Sequence, residues 1–430
     1  MSHPRQCLGL GAVIMVLAFS AIGFSPSRPE GETEVVVRGG RFFTPKGWTE
    51  GGVLLIRDGK IAAFGKDIAI PRGADVVEAS RSFVTPGFID SLTDLGLEEP
   101  GTLGSDADEK TSPVTPQLRI IDAFNPANPF LARARGAGVT AALIAPRIGN
   151  LISGQCGLLS LGGEEVTEMT ARFPAGVLAA LGEAPKMRFG PKNQVPSTRM
   201  GSAALLRQTF IDVQGYMARF SAFEEKLRSR AEEGKKPEGE EPSPPAVDLK
   251  LQALVPVLRG EVPLIIQADR LDDILTALRI ADEFRLKLIL SGGAEAYKVK
   301  ERLAARKIPV VLRPVAADRL TLETQKAIAE NAAILSRAGI KLCFQTGSVQ
   351  DVSGLLRQAR IAVAGGLPPD EALRALTSAP AEIFGVADLQ GSLERGKSAD
   401  LAIFGDDPLW GAGRPKMVII RGKVQEKRRD

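Results

Sequence analysis

Hydrophobic and polar positions along this chain fall into two textures. Toward both ends, short apolar runs are separated by turns rich in Gly and Asp. In the middle, near-continuous apolar runs alternate with segments of helical spacing. Residues 34–38 are Glu-Val-Val-Val-Arg, and Gly39-Gly40 marks a turn. Residues 53–57 lead into Asp58-Gly59, a hairpin dipeptide, and residues 60–65 return as a strand. Such a unit cannot bury both faces alone. Runs of the same kind stand at 399–404 and 417–421, with Gly422-Lys423 as the last hairpin turn. The pattern predicts a discontinuous β-sandwich built from residues 31–82 and 385–430.

The central pattern begins with a strand over 83–90 that runs into a Gly-containing loop. It predicts a helix over 130–137 and a strand over 139–144. A loop follows over 147–156, then short strands at 158–161 and 175–181 and a helix over 202–233. Regular alternation comes next: helices at 249–258, 271–284, 298–305 and 323–338, and strands at 262–268, 287–290, 308–312 and 340–344. Helical spacing recurs at 354–364 and 370–377. Apolar strands separated by helices imply a parallel sheet covered on both faces. Enough units are present to close it, so the fold class is α/β, a (β/α)8 TIM-like barrel over 83–384 plus the sandwich. The charged, Pro-rich stretch near 232–246 predicts a mobile surface insertion.

Composition removes several functions. The chain is 25% charged with a net charge of +4 and 5% aromatic residues, its basic residues interleaved with acids. That excludes a nucleic-acid partner. The one histidine, His3, lies in an N-terminal stretch that reads as an export signal or anchor over 1–30. Arg5 precedes an uncharged apolar run at 8–24 with small residues near its end. Localisation is therefore expected to be exported, periplasmic or in the cell envelope, with a soluble mature protein. Beyond that segment there is no imidazole to ligate a metal, act as a base or activate a nucleophile. Cys7 falls inside the signal. Cys156 and Cys343 are expected to be free and buried.

The stretch Val84-Thr85-Pro86-Gly87-Phe88-Ile89-Asp90-Ser91-Leu92-Thr93-Asp94-Leu95-Gly96 resembles the first barrel strand of the amidohydrolase superfamily. Ile56-Arg57-Asp58-Gly59-Lys60-Ile61, Gly149-Asn150-Leu151-Ile152-Ser153-Gly154-Gln155 and Pro196-Ser197-Thr198-Arg199-Met200-Gly201 are similar to its imidazolonepropionase-related branch. So is Gly391-Ser392-Leu393-Glu394-Arg395-Gly396-Lys397-Ser398-Ala399-Asp400-Leu401. The resemblance implies a metal-bound hydroxide at the C-terminal end of the barrel. It implies ligands from a His-x-His pair on the first strand, one His each on the fifth and sixth, and an Asp on the eighth. At those positions this chain has Leu92 and Asp94, Gln267, Ser291 or Gly292, and Gly347. Leu92 and Gly347 have no side-chain donor, and the oxygens of Asp94 and Gln267 fall short of what hard cations require. No metal and no cofactor are expected.

Asp94 then reads either as a hydrogen-bonded loop residue or as an acid facing a ligand, and Asp94→Ala is expected to leave the fold intact. Asp90 reads as structural. The acidic run Glu98, Glu99, Asp106, Asp108, Glu109 is either a lid or a solvated loop. Lys186 and Arg188 either hold a substrate carboxylate or are surface charge. Two function classes follow. One is a non-catalytic binding or partner subunit with a small-molecule ligand, as a homodimer or paired with an active relative. The other is a hydrolase of carbon–nitrogen bonds (amide, lactam or peptide-like) acting without metal, with Asp94 or another acid.

Overall fold

The computed structural model describes residues 34–101, 105–232, 242–313 and 321–427. Residues 1–30, read as an export signal or anchor, and residues 233–241 of the expected insertion lie outside the described residues. The N-terminal strands are β1 (Glu34–Arg38), β2 (Arg41–Thr44), β3 (Gly47–Glu50), β4 (Val53–Arg57), β5 (Lys60–Gly65), β6 (Asp75–Glu78) and β7 (Phe83–Pro86). The central strands are β8 (Phe88–Thr93), β9 (Val139–Ile144), β10 (Ile152–Ser160), β11 (Thr170–Ala180), β12 (Leu264–Ala268), β13 (Leu288–Gly292), β14 (Val310–Leu312) and β15 (Leu342–Phe344). The last are β16 (Leu401–Phe404), β17 (Pro415–Ile420) and β18 (Lys423–Lys427).

One outer sheet has the order β5-β4-β1-β6. The other, β18-β17-β16-β7-β2-β3, joins the two chain ends. Val37, Phe42, Leu54 and Ile56 from the N-terminal side pack with Leu401, Ile403 and Ile419 in one cluster. Neither end has enough apolar surface to build that core alone.

The central sheet runs in sequence order from β8 to β15 and nearly closes into a barrel. Period-two alternation sets its two faces. Ile89, Leu178, Ile265, Ile289, Val311 and Cys343 share one buried cluster, whereas the adjacent Leu264, Ile266, Leu288 and Leu290 pack in the cluster that contains the helices. The thiols of Cys156 and Cys343 are free and buried in the inner cluster.

Three features of the strands depart from the sequence pattern. The run over 83–90 is two strands, β7 in the outer sheet and β8 in the barrel, which meet at Gly87. A Cβ there would lie 2.0 Å from Thr140 Oγ1, so only glycine lets the chain cross between the layers. The loop expected over 147–156 is strand from Ile152 onward. Gly154, at φ 147°, sits at a register shift between β10 and β11, so it marks a β-bulge. β10 also runs antiparallel to both neighbours, while the other barrel pairs are parallel.

The helices are α1 (Pro129–Arg135), α2 (Val166–Met169), α3 (Glu183–Phe189), α4 (Arg199–Glu232), α5 (Leu249–Leu258), α6 (Leu271–Phe284), α7 (Lys300–Ala305), α8 (Asn331–Arg337), α9 (Leu355–Ala364), α10 (Pro369–Arg374) and α11 (Ser378–Ile383). The helix expected over 323–338 begins only at Asn331. Ahead of it the Thr324 hydroxyl accepts the Thr321 N–H at 2.9 Å, a local bond that competes with the helical ladder. The helix expected over 370–377 splits at Thr377, whose φ of −130° and ψ of −85° are not helical. No helix among the described residues is long and apolar enough to cross a membrane.

The start of α5 shows how local chemistry fixes an element. Asp248 accepts the N–H groups of Lys250 and Leu251 at 2.8 and 3.2 Å. Asp248→Ala is expected to cost about 1 kcal/mol, measurable by urea denaturation. An unchanged midpoint would mean that packing alone holds this helix.

Candidate functional site

The C-terminal ends of the barrel strands surround a cavity of about 480 Å³. Leu92 is near the end of β8 and Asp94 follows it, Arg147 follows β9, Gln267 is near the end of β12, and Gln345 and Gly347 follow β15; all six line it. An adjoining lobe of about 380 Å³ shares Ile148, Ala184, Met187, Gln267 and Arg313 with the first, and adds Asp269, Glu183 and Glu323.

Asp94 is 2% exposed and committed on both oxygens. Oδ1 accepts the Val349 N–H at 2.6 Å, and Oδ2 accepts from Arg147 Nε at 2.7 Å. Arg147 also pairs with Glu98. Burial works against the Arg147 charge, but Asp94 and Glu98 outweigh it and hold the guanidinium pKa above its ordinary value. The acidic run therefore divides. Glu98 and Asp108 fold onto the mouth as partners of Arg147 and Arg188, while Asp106 and Glu109 face solvent.

Gln267 is equally constrained. Its Oε1 accepts the Ser291 hydroxyl at 2.8 Å and its Nε2 donates to Asp269 Oδ2 at 2.8 Å. Gln345 Nε2 donates to Ser291 Oγ at 3.0 Å, which extends the chain across three strand ends. Asp269 also accepts the Ala294 N–H at 3.2 Å, and burial raises its carboxyl pKa. At Gly292, φ is 84° and a Cβ would meet the Gln267 amide nitrogen at 2.2 Å; the glycine leaves room for that amide.

The two cations singled out in the sequence separate. Arg188 lines the mouth and grips Asp108 through Nη1 at 2.5 Å and Nη2 at 2.6 Å. Lys186 lines neither lobe and donates to Glu183 at 2.8 Å. Arg199 buttresses the second lobe. It reaches Asp273 at 3.0 Å, Glu183 at 2.8 Å and Glu323 at 2.8 Å, joining α3, α4, α6 and the turn before α8.

Below the mouth, Asp90 closes the barrel. Its Oδ1 accepts the Thr346 N–H at 3.0 Å and its Oδ2 the Thr346 hydroxyl at 2.5 Å, while Gly347 N–H reaches Leu92 O at 2.9 Å. Burial pushes the Asp90 carboxyl up to about 7, against the opposing pull of the Thr346 bonds.

Sequence reasoning missed Arg147, Asp269 and Arg313. Arg147 lay in a stretch read as loop, and Asp269 stands two residues past the position that drew attention. The available signal was placement: Asp269 and Arg313 directly follow apolar barrel strands and Arg147 stands within three residues of one, where parallel-sheet proteins put their functional groups.

The donor set can be tested against a family-type metal centre. Leu92 is a hydrocarbon, Gly347 has no side chain, Asp94 is held by a guanidinium, and the Gln267 amide is taken by Ser291 and Asp269. Among the described residues no group of three or more His, Cys, Asp or Glu side chains is placed to hold a metal ion. These residues do not fit the group.

Comparison with known proteins places the chain. A crystal structure of an amidohydrolase from Thermotoga maritima MSB8 aligns over 92% of this chain and 100% of its own length, at 34% identity and a TM-score of 0.82. The chain belongs to the amidohydrolase family. The family's model matches residues 284–425, the last barrel strands and the C-terminal sheet. The amidohydrolase tasK of Hapsidospora irregularis is 26% identical over 404 residues, 88% of this chain. The chain spans 40% of that curated relative's length. A dihydroorotase of Anaeromyxobacter dehalogenans is 41% identical over 66 residues, 15% of each chain. As a member of this family the chain keeps the barrel and its mouth, and arginine–carboxylate pairs line that mouth.

Proposed function

We propose that this amidohydrolase homologue binds a small molecule at its barrel mouth and does not run the family's metal-dependent hydrolysis. The observation that supports this is the commitment of Asp94. The acid nearest the expected metal position is held between a guanidinium and a backbone N–H, so it is spent on structure. Leu92, Gln267, Ser291, Gly292 and Gly347 stand where the family's other ligands are expected, and none brings an ionisable donor. What remains suits a ligand pocket: apolar walls from Leu92, Ile148 and Met187, with a few oriented polar groups, Gln267, Gln345 and Arg313. The same proposal includes export, on the apolar run at 8–24, and action as a partner of a relative that retains the histidines, which would supply the hydrolysis.

Elemental analysis after dialysis is expected to find well below one zinc per chain. A panel of lactams, N-acyl amino acids and dipeptides is expected to show no turnover. At least one such compound should raise the melting temperature, because saturation at about 100 times Kd stabilises the native state by roughly 2.7 kcal/mol. Stoichiometric tightly held metal with chelator-sensitive turnover would defeat the proposal.

One observation favours the second reading, metal-independent hydrolysis of a carbon–nitrogen bond. Asp269 is half-buried and lines the second lobe, desolvation raises its carboxyl pKa, and Gln267 aims it, the combination that suits a general acid. Turnover that survives chelator and is lost in Asp269→Asn, with the fold retained, would establish it.

A further inference from the structure

We propose that the opposite, N-terminal face of the barrel carries an anion site, set between the turns that lead from α6 to β13 and from α7 to β14. Its ligand class is a small molecule bearing two or more negative charges on oxygen, an organic phosphate or polycarboxylate. The site is separate from the mouth and does not depend on the function proposed there.

A cavity of about 520 Å³ opens at this face, large enough for one small molecule. Arg285, Lys287, Arg306 and Lys307 line it, and Asp282 is the one acid among its lining residues. Arg306 consumes that acid, with Nε at 2.9 Å from Oδ1 and Nη2 at 2.6 Å from Oδ2. Arg285, Lys287 and Lys307 are exposed and have no acidic partner among the described residues. The C-termini of α6 and α7 each contribute roughly half a negative charge. Three cations against those two ends leave a surplus of about two positive charges. Buried Leu286, Leu288 and Ile308 form an apolar floor, which limits solvent screening and offers a surface to a ligand's carbon body.

The backbone supplies an independent observation. Seven helix ends close with the same bond, an N–H reaching back five residues: Gln194 to Phe189 (3.1 Å), Glu261 to Pro256 (3.0 Å), Leu286 to Ala281 (2.9 Å), Ile308 to Leu303 (3.0 Å), Ile340 to Leu335 (3.1 Å), Leu367 to Ala362 (3.0 Å) and Val386 to Ala381 (2.8 Å). The residue before each donor is left-handed. In four turns it is glycine, the unstrained choice: Gly260, Gly339, Gly366 and Gly385, at φ 70°, 74°, 91° and 69°. In one it is Asn193 at φ 57°, whose short polar side chain tolerates the conformation, and in the other two it is Arg285 at φ 55° and Lys307 at φ 52°. A side chain in that conformation is disfavoured. The two turns that hold a long side chain in this conformation both place a cation in the same cavity. Helix-dipole compensation does not require it, because a cation within the last helical turn would serve as well.

The double variant Arg285→Gly, Lys307→Gly installs the residue its sibling turns use, so its ligand-free melting temperature should be no lower than that of the parent. Inorganic pyrophosphate is the probe, titrated into the full chain by calorimetry and thermal melting, with sodium chloride at matched ionic strength as control. The parent is expected to gain a melting shift beyond that of chloride, and the double variant to bind about tenfold more weakly or worse. Lys287→Ser, which leaves the left-handed positions untouched, is expected to weaken binding as well. No shift beyond chloride in the parent overturns the site. So does an equal pyrophosphate affinity in the double variant. Should the double variant melt below the parent, Lys287→Ser decides: unchanged affinity there overturns the site.

Discussion

Arg147→Ala is expected to destabilise the protein by about 3 kcal/mol, more than Asp94→Ala at the other end of the same ion pair. Removing the arginine leaves a carboxylate that is 2% exposed with one backbone N–H and no counter-charge. Breaking a buried pair from one side costs about 3–5 kcal/mol because the surviving charge has lost its solvation. The lower end applies because the Arg147 side chain is 36% exposed and water can replace part of it. Asp94→Ala leaves no orphan acid. Arg147 keeps Glu98, and the main loss is the acceptor for Val349 N–H, about 1–3 kcal/mol. The expectation that Asp94→Ala leaves the fold intact is thereby sharpened to a folded but weakened protein. The double variant should lie nearer Asp94→Ala than Arg147→Ala, since residues in contact couple. Urea denaturation of the three variants checks the order. If Asp94→Ala proves the more damaging, the Asp94 carboxylate matters for a contact other than this pair.

Much of the fold was legible because it follows from periodicity. The apolar runs expected at 262–268 and 287–290 reappear as the barrel strands β12 and β13, and those at 399–404 and 417–421 join the outer sheet that holds β2, β3 and β7. What was not legible depended on contacts distant in sequence. Gly154 carries the same local signal whether it punctuates a loop or forms a bulge; only the pairing of β10 with β11 decides. Gly87 is required by Thr140, which no local window contains. At the mouth, sequence frames located Leu92, Asp94, Gln267 and Gly347 in one cavity. They did not reveal that Arg147 neutralises Asp94, because an ion pair across 53 positions has no periodic signature. The cations of the N-terminal face were invisible for a related reason. Arg285 and Lys307 read as ordinary surface charge until their backbone conformation is known.

Asp90→Asn is expected to remove a pH dependence from folding stability that the parent protein displays. The native carboxyl titrates near about 7 and a free aspartate near 3.8. Between those values the native state holds a proton that the unfolded chain has released. Stability must therefore fall as pH rises through this window and level off above it, where both states are ionised. A gap of about three pH units corresponds to roughly 4 kcal/mol. The Asn amide is neutral throughout and can still accept from Thr346, so the variant should match the parent near pH 4 and exceed it increasingly toward pH 8. Carboxylates held below their ordinary range, such as Glu183 with Lys186 and Asp282 with Arg306, impose the opposite slope. They do so in both proteins and cancel in the difference. Urea titrations of parent and variant at intervals from pH 4 to 8 test this, and a difference independent of pH would show that Asp90 stays ionised in the folded chain. The consequence reaches the mouth. Asp90 ties β8 to the segment after β15, and Leu92 and Gly347 stand on the two sides of that closure. A barrel that closes through one protonatable side chain, two residues below the proposed ligand pocket, should bind any ligand of that pocket more tightly in mild acid than in base. That preference should disappear with the asparagine.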